Sequence, residues 1–202
     1  MTTIGIIMAS MLEAEPLVRQ LSLRPYARKP FELWGKGDIR LLISGIGKAN
    51  AAMGCTWLIL EHRPACILNL GAAGATDRSH PLGAVYHVSK IIEPDRPLLG
   101  SDRPHEHISD ILEGFPMATL ATSDRAVKAP EERAHMAMSA QLTDMEGASV
   151  VQTCRRFMTL SYVFKFVSDT PDDHKIRENI VQYREASGMF FCESVLPLLE
   201  FK

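Results

Sequence analysis

Along most of this chain, short apolar runs alternate with longer stretches of helical spacing. Thr3–Ala9 is an apolar run of strand length ending in a small residue, and Glu13–Leu21 then sets Leu17 and Leu21 four apart on one face. Phe31–Trp34 and Ile39–Ser44 read as two strands joined by the glycine-rich turn Gly35-Lys36-Gly37-Asp38. Ala49–Glu61 has the length and apolar content of a helix, stopped ahead of Pro64. Ala65–Leu70 and Ala84–Ile92 predict buried strands, and Ala118–Thr122, Gln141–Asp144 and Tyr162–Val167 predict further strands. Ala148–Phe157 carries amphipathic helical spacing, and Ile176–Leu199 is expected to be largely helical. Glu93–Arg103, rich in Pro, Asp and Arg, is expected to be a loop. Strands separated by helices imply an α/β fold, here one domain over residues 1–202 with a central mixed sheet flanked by helices.

Composition narrows the class. At 202 residues and 46% hydrophobic, the chain can bury one substantial core. A net charge of −2, with Lys and Arg scattered, offers no electrostatic footprint for nucleic acid. No apolar run approaches the ~20 residues of a membrane span, and no charged segment precedes an apolar leader, so the expectation is a cytoplasmic protein without a membrane partner. Cys55, Cys66, Cys154 and Cys192 are far apart in apolar surroundings and are expected to be free thiols. His105-Glu106-His107 and Asp172-Asp173-His174 lack the spacing of ligands converging from several elements, so both are expected to be solvated loop residues. No metal or other cofactor is expected.

The chemistry lies in Asp144-Met145-Glu146-Gly147-Ala148 and Ser168-Asp169. The first places a carboxylate at a strand-to-helix junction and the second places one at a strand end. Each has a plain alternative: Glu146 as a cap on the first turn of the following helix, and Asp169 as a turn residue before Pro171. Gly45-Ile46-Gly47-Lys48 lacks the spacing of a phosphate-cradling loop, and Asn50 stands where a dinucleotide fingerprint needs its third glycine. A tight strand-to-helix turn remains. Gly71-Ala72-Ala73-Gly74 follows a buried strand, at the end where open α/β sheets place ligands, and its small side chains leave room for one.

Gly5-Ile6-Ile7 with Glu13, Ser44-Gly45-Ile46-Gly47-Lys48-Ala49-Asn50-Ala51-Ala52, Asn69-Leu70-Gly71-Ala72-Ala73-Gly74, Asp144–Ala148 and Ser168-Asp169 occur in the order found in the nucleoside phosphorylase and nucleosidase superfamily. Within it the chain most resembles the methylthioadenosine/S-adenosylhomocysteine nucleosidases. The resemblance implies cleavage of the N-ribosidic bond of a 5′-modified, adenosine-like nucleoside. That chemistry leaves positive charge on the ribose and negative charge on the base, so the base must be neutralised while the sugar cation is attacked. By the same resemblance Asp169 is the acid at purine N7, oriented by Ser168, Glu146 takes the ribose hydroxyls and Met145 packs on the sugar. Glu13 is the base for water; on the chain alone it cannot be separated from Glu15. Ala72 and Lys165 complete the substrate-binding set, Lys165 standing where these nucleosidases usually carry arginine and Ala72 where they usually carry serine. The base-stacking phenylalanine has no clear match in Ser123–Val127, and the segment between Ile92 and Ala118 is short. A homodimer is implied by the resemblance alone. No arginine-rich first loop or other phosphate site is legible, which favours water as nucleophile. A futalosine hydrolase-like or phosphorolytic member, and a ligand-binding homologue without turnover, are the alternatives.

Overall fold

The strands of highest apolar content form the middle of the sheet. In the computed structural model, which describes residues 3–101 and 103–199, β1 (Ile4–Met8), β4 (Ile39–Ile43), β5 (Cys66–Ala75) and β10 (Leu160–Asp169) run parallel in the order β4-β1-β5-β10. The other six strands are β2 (Arg24–Ala27), β3 (Glu32–Lys36), β6 (Val85–Pro97), β7 (Pro104–Ile108), β8 (Met117–Thr122) and β9 (Leu142–Asp144). The parallel strands are buried on both faces, which is why they read as continuous apolar runs. Ile4, Ile6 and Met8 face one core and Ile7 the other.

Helices cover both faces. On the first, α1 (Met11–Gln20) packs on α5 (Ile176–Phe190). On the second, α2 (Lys48–His62) and α4 (Gly147–Arg156) enclose Ala51, Cys55, Leu58, Val150 and Cys154 with Ile7, Leu42 and Ile67. The short α3 (Pro130–Met136) lies between β8 and β9. Pro16 sits inside α1 and cannot donate to the Leu12 carbonyl one turn earlier. Arg184 of α5 takes that carbonyl instead, at 2.8 Å, and pairs with Glu15 at 2.7 Å. A helix break is thereby converted into a tie between the two helices.

The mixed sheet is more closed than the alternation of elements predicts. β5 pairs with β1 over residues 66–69 and then, on residues 74–75, with the antiparallel β9. β9, β8, β6 and β10 follow in turn, and β10 returns to β5, so five strands form a ring. β4, β3 and β2 extend the sheet beyond β1.

Several expected boundaries change. β5 and β10 run on through Ala75 and Asp169, so the glycine-rich stretch and Ser168-Asp169 are strand rather than turn. The expected loop Glu93–Arg103 begins as strand, because β6 continues to Pro97 against β7. His105-Glu106-His107 is therefore in β7, where His107 Nε2 meets the Glu93 carboxylate at 2.8 Å and Glu106 pairs with Lys90 at 3.1 Å. Burial works against the Glu93 charge, but His107, Lys48 and Arg96 outweigh it and draw its carboxyl down to about 2. Gly35 and Lys36 belong to β3, leaving Gly37-Asp38 as the turn. The helix expected over Ile176–Leu199 ends in a π turn at Phe191–Val195 and a 3₁₀ turn at Leu196–Leu199. β2, β7 and α3 were not legible. Residues 1–2 and 200–202 of the expected domain, and Asp102 of the expected loop, lie outside the described residues.

On the face of β6 and β10 turned toward α5, His87 is fully buried and stacked on Phe164 with ring centroids 4.2 Å apart. Nδ1 lies 2.8 Å from the Val163 carbonyl, and Nε2 accepts the Leu112 N–H at 3.0 Å, so the neutral ring uses both nitrogens. Burial pushes its pKa below the ordinary 6.5, with only partial opposition from the Val163 carbonyl. A depressed histidine stabilises the fold above its unfolded pKa and loses that contribution as pH falls below about 6.5. The expected result is that His87→Gln costs about 1–3 kcal/mol at pH 7.5 and that the cost shrinks by pH 5. Urea unfolding of both proteins across that range checks it, and a constant difference contradicts it.

Candidate active site

Where β5 exchanges β1 for β9, residues 70–73 have a strand partner only in β10. A cleft of about 290 Å³ opens there, the lower end of the range for small-molecule sites. It lies at the carboxyl ends of β1, β5 and β10. Glu13, Ala72, Met145, Glu146, Ser168 and Asp169 all line it, together with Asp144. Of the residues that the resemblance assigns to catalysis or substrate binding, Lys165 alone does not line the cleft.

Glu13 occupies the free edge of β5. Its Oε1 accepts the Ala72 N–H at 2.9 Å and its Oε2 accepts the Ser10 hydroxyl at 2.5 Å. Gly71 permits this approach: its φ is +154°, and a Cβ there would lie 2.9 Å from Glu13 Oε1. Glu15 points away from the cleft to Arg184, so the structure separates two glutamates that the sequence could not. Gly74 plays the same part for Asp169, since a Cβ would fall 2.8 Å from its Oδ2. The small residues of this stretch thus make room for two carboxylates, besides leaving the cleft open.

Glu146 does not cap the helix it precedes. Asp144 Oδ2 accepts the Gly147 N–H at 2.8 Å, and Thr122 Oγ1 accepts the Ala148 N–H at 3.0 Å while donating to Asp144 Oδ1 at 2.6 Å. These two groups satisfy the start of α4. Glu146 is free to turn into the cleft, where its Oε1 accepts the Gly47 N–H at 2.7 Å. Gly45 and Gly47 both have positive φ, and Asn50 Nδ2 closes the turn on the Ile46 carbonyl at 2.8 Å. The turn thereby aims the N–H of Gly47, the N-cap at the positive end of α2, at a carboxylate.

Lys165 is the cation beneath these acids. Its Nζ lies 2.9 Å from Asp144 Oδ2, with both side chains almost wholly buried. Burial opposes its charge, but Asp144, then Glu146 and Glu13, outweigh that cost and hold the ammonium above its ordinary range. Glu146 fares differently. Burial and the Asp144 charge push its carboxyl up to about 7, against the opposing pull of Lys165 and the Gly47 N–H. Asp169, at the end of β10, accepts the Ser168 hydroxyl on Oδ1 at 2.7 Å and pairs through Oδ2 with Arg133 of α3. Arg133 went unread in the sequence. Pro130 followed by Glu131 and Glu132 is a helix start, but nothing local says that the arginine after them is buried.

A family model for the phosphorylase superfamily matches residues 3–199, and the chain belongs to that superfamily. It is similar to the 5′-methylthioadenosine/S-adenosylhomocysteine nucleosidase of Bacillus subtilis (strain 168), 25% identical over 189 residues covering 81% of each chain. It is also similar to that of Hydrogenovibrio crunogenus, 29% identical over 190 residues covering 80% of each. Among solved structures, the nucleosidase of that name from Helicobacter pylori, crystallised with butyl-thio-DADMe-Immucillin-A, superposes with a TM-score of 0.85 at 19% identity, covering 98% of this chain and 99% of that one. Helicobacter pylori futalosine hydrolase gives 0.83 at 18%, covering 95% and 96%. These superpositions establish the shared fold.

The raised Glu146 carboxyl has a consequence for stability. A carboxyl whose folded pKa lies above its unfolded value near 4.5 contributes stability that is full below 4.5 and lost as pH rises through about 7. Glu146→Gln is therefore expected to be more stable than the parent at pH 8, by about 1–3 kcal/mol, with the gain gone at pH 4. A helix cap predicts the reverse, a cost of about 0.5–2 kcal/mol at pH 8. Denaturant midpoints of the two proteins at both pH values decide between these.

Proposed function

We propose that this protein hydrolyses the N-glycosidic bond of a 5′-modified, adenosine-like nucleoside, releasing the free base and the sugar. The observation that carries this reading is the charge of the cleft. Its lining contains four carboxylates, Glu13, Asp144, Glu146 and Asp169, and no arginine, lysine or histidine. Phosphorolysis needs cationic or multiple N–H donors for an attacking dianion; this lining offers no cationic side chain, and the two cations beside it, Lys165 and Arg133, are already engaged by Asp144 and Asp169. Water has no such requirement. The same acids favour a sugar that gains positive charge as its bond to the base breaks.

In this reading Asp169, oriented by Ser168, faces the purine ring and relays a proton taken up from solvent to N7 as the bond to the base breaks. Glu146 accepts hydrogen bonds from the ribose hydroxyls, and Met145 packs on the sugar. Glu13 takes a proton from the attacking water, with the Ala72 N–H and Ser10 hydroxyl fixing its orientation. Ala72 thus acts through its backbone. Lys165 acts from beneath, holding Asp144 and balancing the cluster, rather than touching substrate. Ile176 and Ile180 of α5, with exposed Ile46, give one end of the cleft the apolar character that a 5′-alkylthio group needs. Met53 and Leu60 stand exposed on one side of α2, the helix that starts beside the cleft, with Trp57 between them, which supports a homodimer packed through this face. None of the described helices is long and apolar enough to cross a membrane, and the cysteines are free thiols, which is consistent with action in the cytoplasm.

The fold is shared equally with a futalosine hydrolase, so a larger 5′ substituent is the second reading. Incubation with methylthioadenosine, S-adenosylhomocysteine, 5′-deoxyadenosine and futalosine, with and without phosphate, tests both. Catalytic release of base, with free sugar as the co-product in either buffer, is expected. Formation of a sugar 1-phosphate contradicts hydrolysis, and release limited to one equivalent contradicts turnover.

Glu13→Gln is expected to lower kcat by roughly 10²–10⁴-fold, the usual worth of a general base, with little change in substrate affinity. Glu15→Gln, which breaks only an exposed pair with Arg184, is expected to stay within about twofold of the parent. Single-turnover kinetics with measured substrate affinity separate the two, and comparable losses refute the assignment.

A further inference from the structure

Arg133 is a charged side chain beside the cleft whose burial the packing of the fold does not by itself explain. It is 1% exposed, on the seven-residue α3, and among the largest side chains fully removed from water. Its guanidinium donates through Nη2 to Asp169 Oδ2 and through Nη1 to the Ala75 carbonyl, while Nε is buried without a partner. A buried arginine left with an unpaired N–H is costly, and an apolar side chain would fill the same space without that cost.

The direction of approach is informative. Arg133 is absent from the cleft lining; with Thr76, Pro130, Ala134 and Pro171 it borders a separate hollow that Asp169 does not line. It therefore grips the carboxylate from outside the cleft. Ser168 Oγ holds Oδ1 at 2.7 Å, and the bare Cα of Gly74 leaves just the space Oδ2 needs. Two hydrogen bonds, one to each carboxylate oxygen, and the space left by Gly74 fix the orientation of the Asp169 carboxylate, which lines the cleft. The charges divide in the same way. Lys165 serves Asp144, Glu146 and Glu13, and Arg133 serves Asp169.

We propose that Arg133 is a positioning residue for the base-facing Asp169, fixing its carboxylate through a charge-assisted bond made from outside the cleft. The proposal rests on the role given to Asp169 above. A displacement of about 1 Å in such a group costs on the order of 10²-fold in rate. The loss should fall on kcat more than on KM, because the alignment matters most as the bond to the base breaks.

The test is a double-mutant cycle of the full chain: parent, Arg133→Met, Asp169→Asn and the double variant, each measured for kcat, KM and thermal unfolding with methylthioadenosine. Arg133→Met is expected to lower kcat/KM by roughly 10–100-fold, and the same change in the Asp169→Asn background by less than about threefold. Arg133→Lys, which keeps the charge without the planar fork, should fall between, and added guanidinium should recover part of the loss in Arg133→Ala. Losses that multiply in the double variant, or parent-like kcat/KM in a folded Arg133→Met protein, overturn the proposal and leave the proposed function standing. Parent-like activity of Asp169→Asn overturns the proposal together with the role given to Asp169, while the hydrolysis itself stands. If Arg133→Met does not fold, Arg133→Lys in the two backgrounds gives the same comparison. Should the parent release no base from any nucleoside, the proposed function fails, and the cycle read as adenine affinity by calorimetry still reports whether Arg133 acts through Asp169.

Discussion

The edge of β5 is the constraint on which the rest of the site depends. A strand with two neighbours on one side must leave a gap where the first ends and the second begins, and the gap holds backbone groups that need partners. Here a side chain supplies one. Glu13 reaches from α1 to the Ala72 N–H, which anchors a carboxylate at the place where the sheet opens. The discontinuity that breaks the hydrogen-bond ladder thus also creates the cleft and furnishes its first functional group. Closure of β5 with four further strands into a ring brings β9 and β10, with Asp144 and Asp169, to the opposite wall.

The electrostatics follow from crowding acids into a half-buried space. Four carboxylates in one small cleft cannot all be carried without cost, and two buried cations divide the work. The result is an uneven set, in which the Asp144 charge is paired with Lys165 while Glu146, near both, has its carboxyl raised to about 7. Pairs of titratable groups driven apart by their surroundings are a common property of catalytic sites. The two cations lie outside the cleft lining, so that the surface offered to a ligand is acidic and apolar.

Helix termini are used in the same economical way. The start of α4 is satisfied by Asp144 and Thr122, which releases Glu146 into the cleft, and the start of α2 is spent on holding Glu146 there. The Lys48 side chain, with Asp95 at 2.6 Å and Glu93 at 3.3 Å, ties that same turn to β6. Three elements far apart in sequence therefore fix a single carboxylate.

The amino-acid sequence determined the alternation of strands and helices, because burial on both faces of a parallel sheet leaves an apolar run that is visible locally. It also carried the short motifs in order, since glycines at 45, 47, 71 and 74 and acids at 144, 146 and 169 are fixed by backbone approach and chemistry at their own positions. Tertiary structure decided what depends on a partner far along the chain. β7 became strand only because the extension of β6 lies beside it, and a proline-containing stretch concealed this. Glu13 and Glu15 differ only in what they face, Ala72 in one case and Arg184 in the other. Glu146 escaped the cap that its position suggested because Thr122, 26 residues before Ala148, took part in that role. Arg133, in a short helix of ordinary charged composition, reached Asp169 only through the fold, since burial of a long charged side chain has no signature in the residues around it.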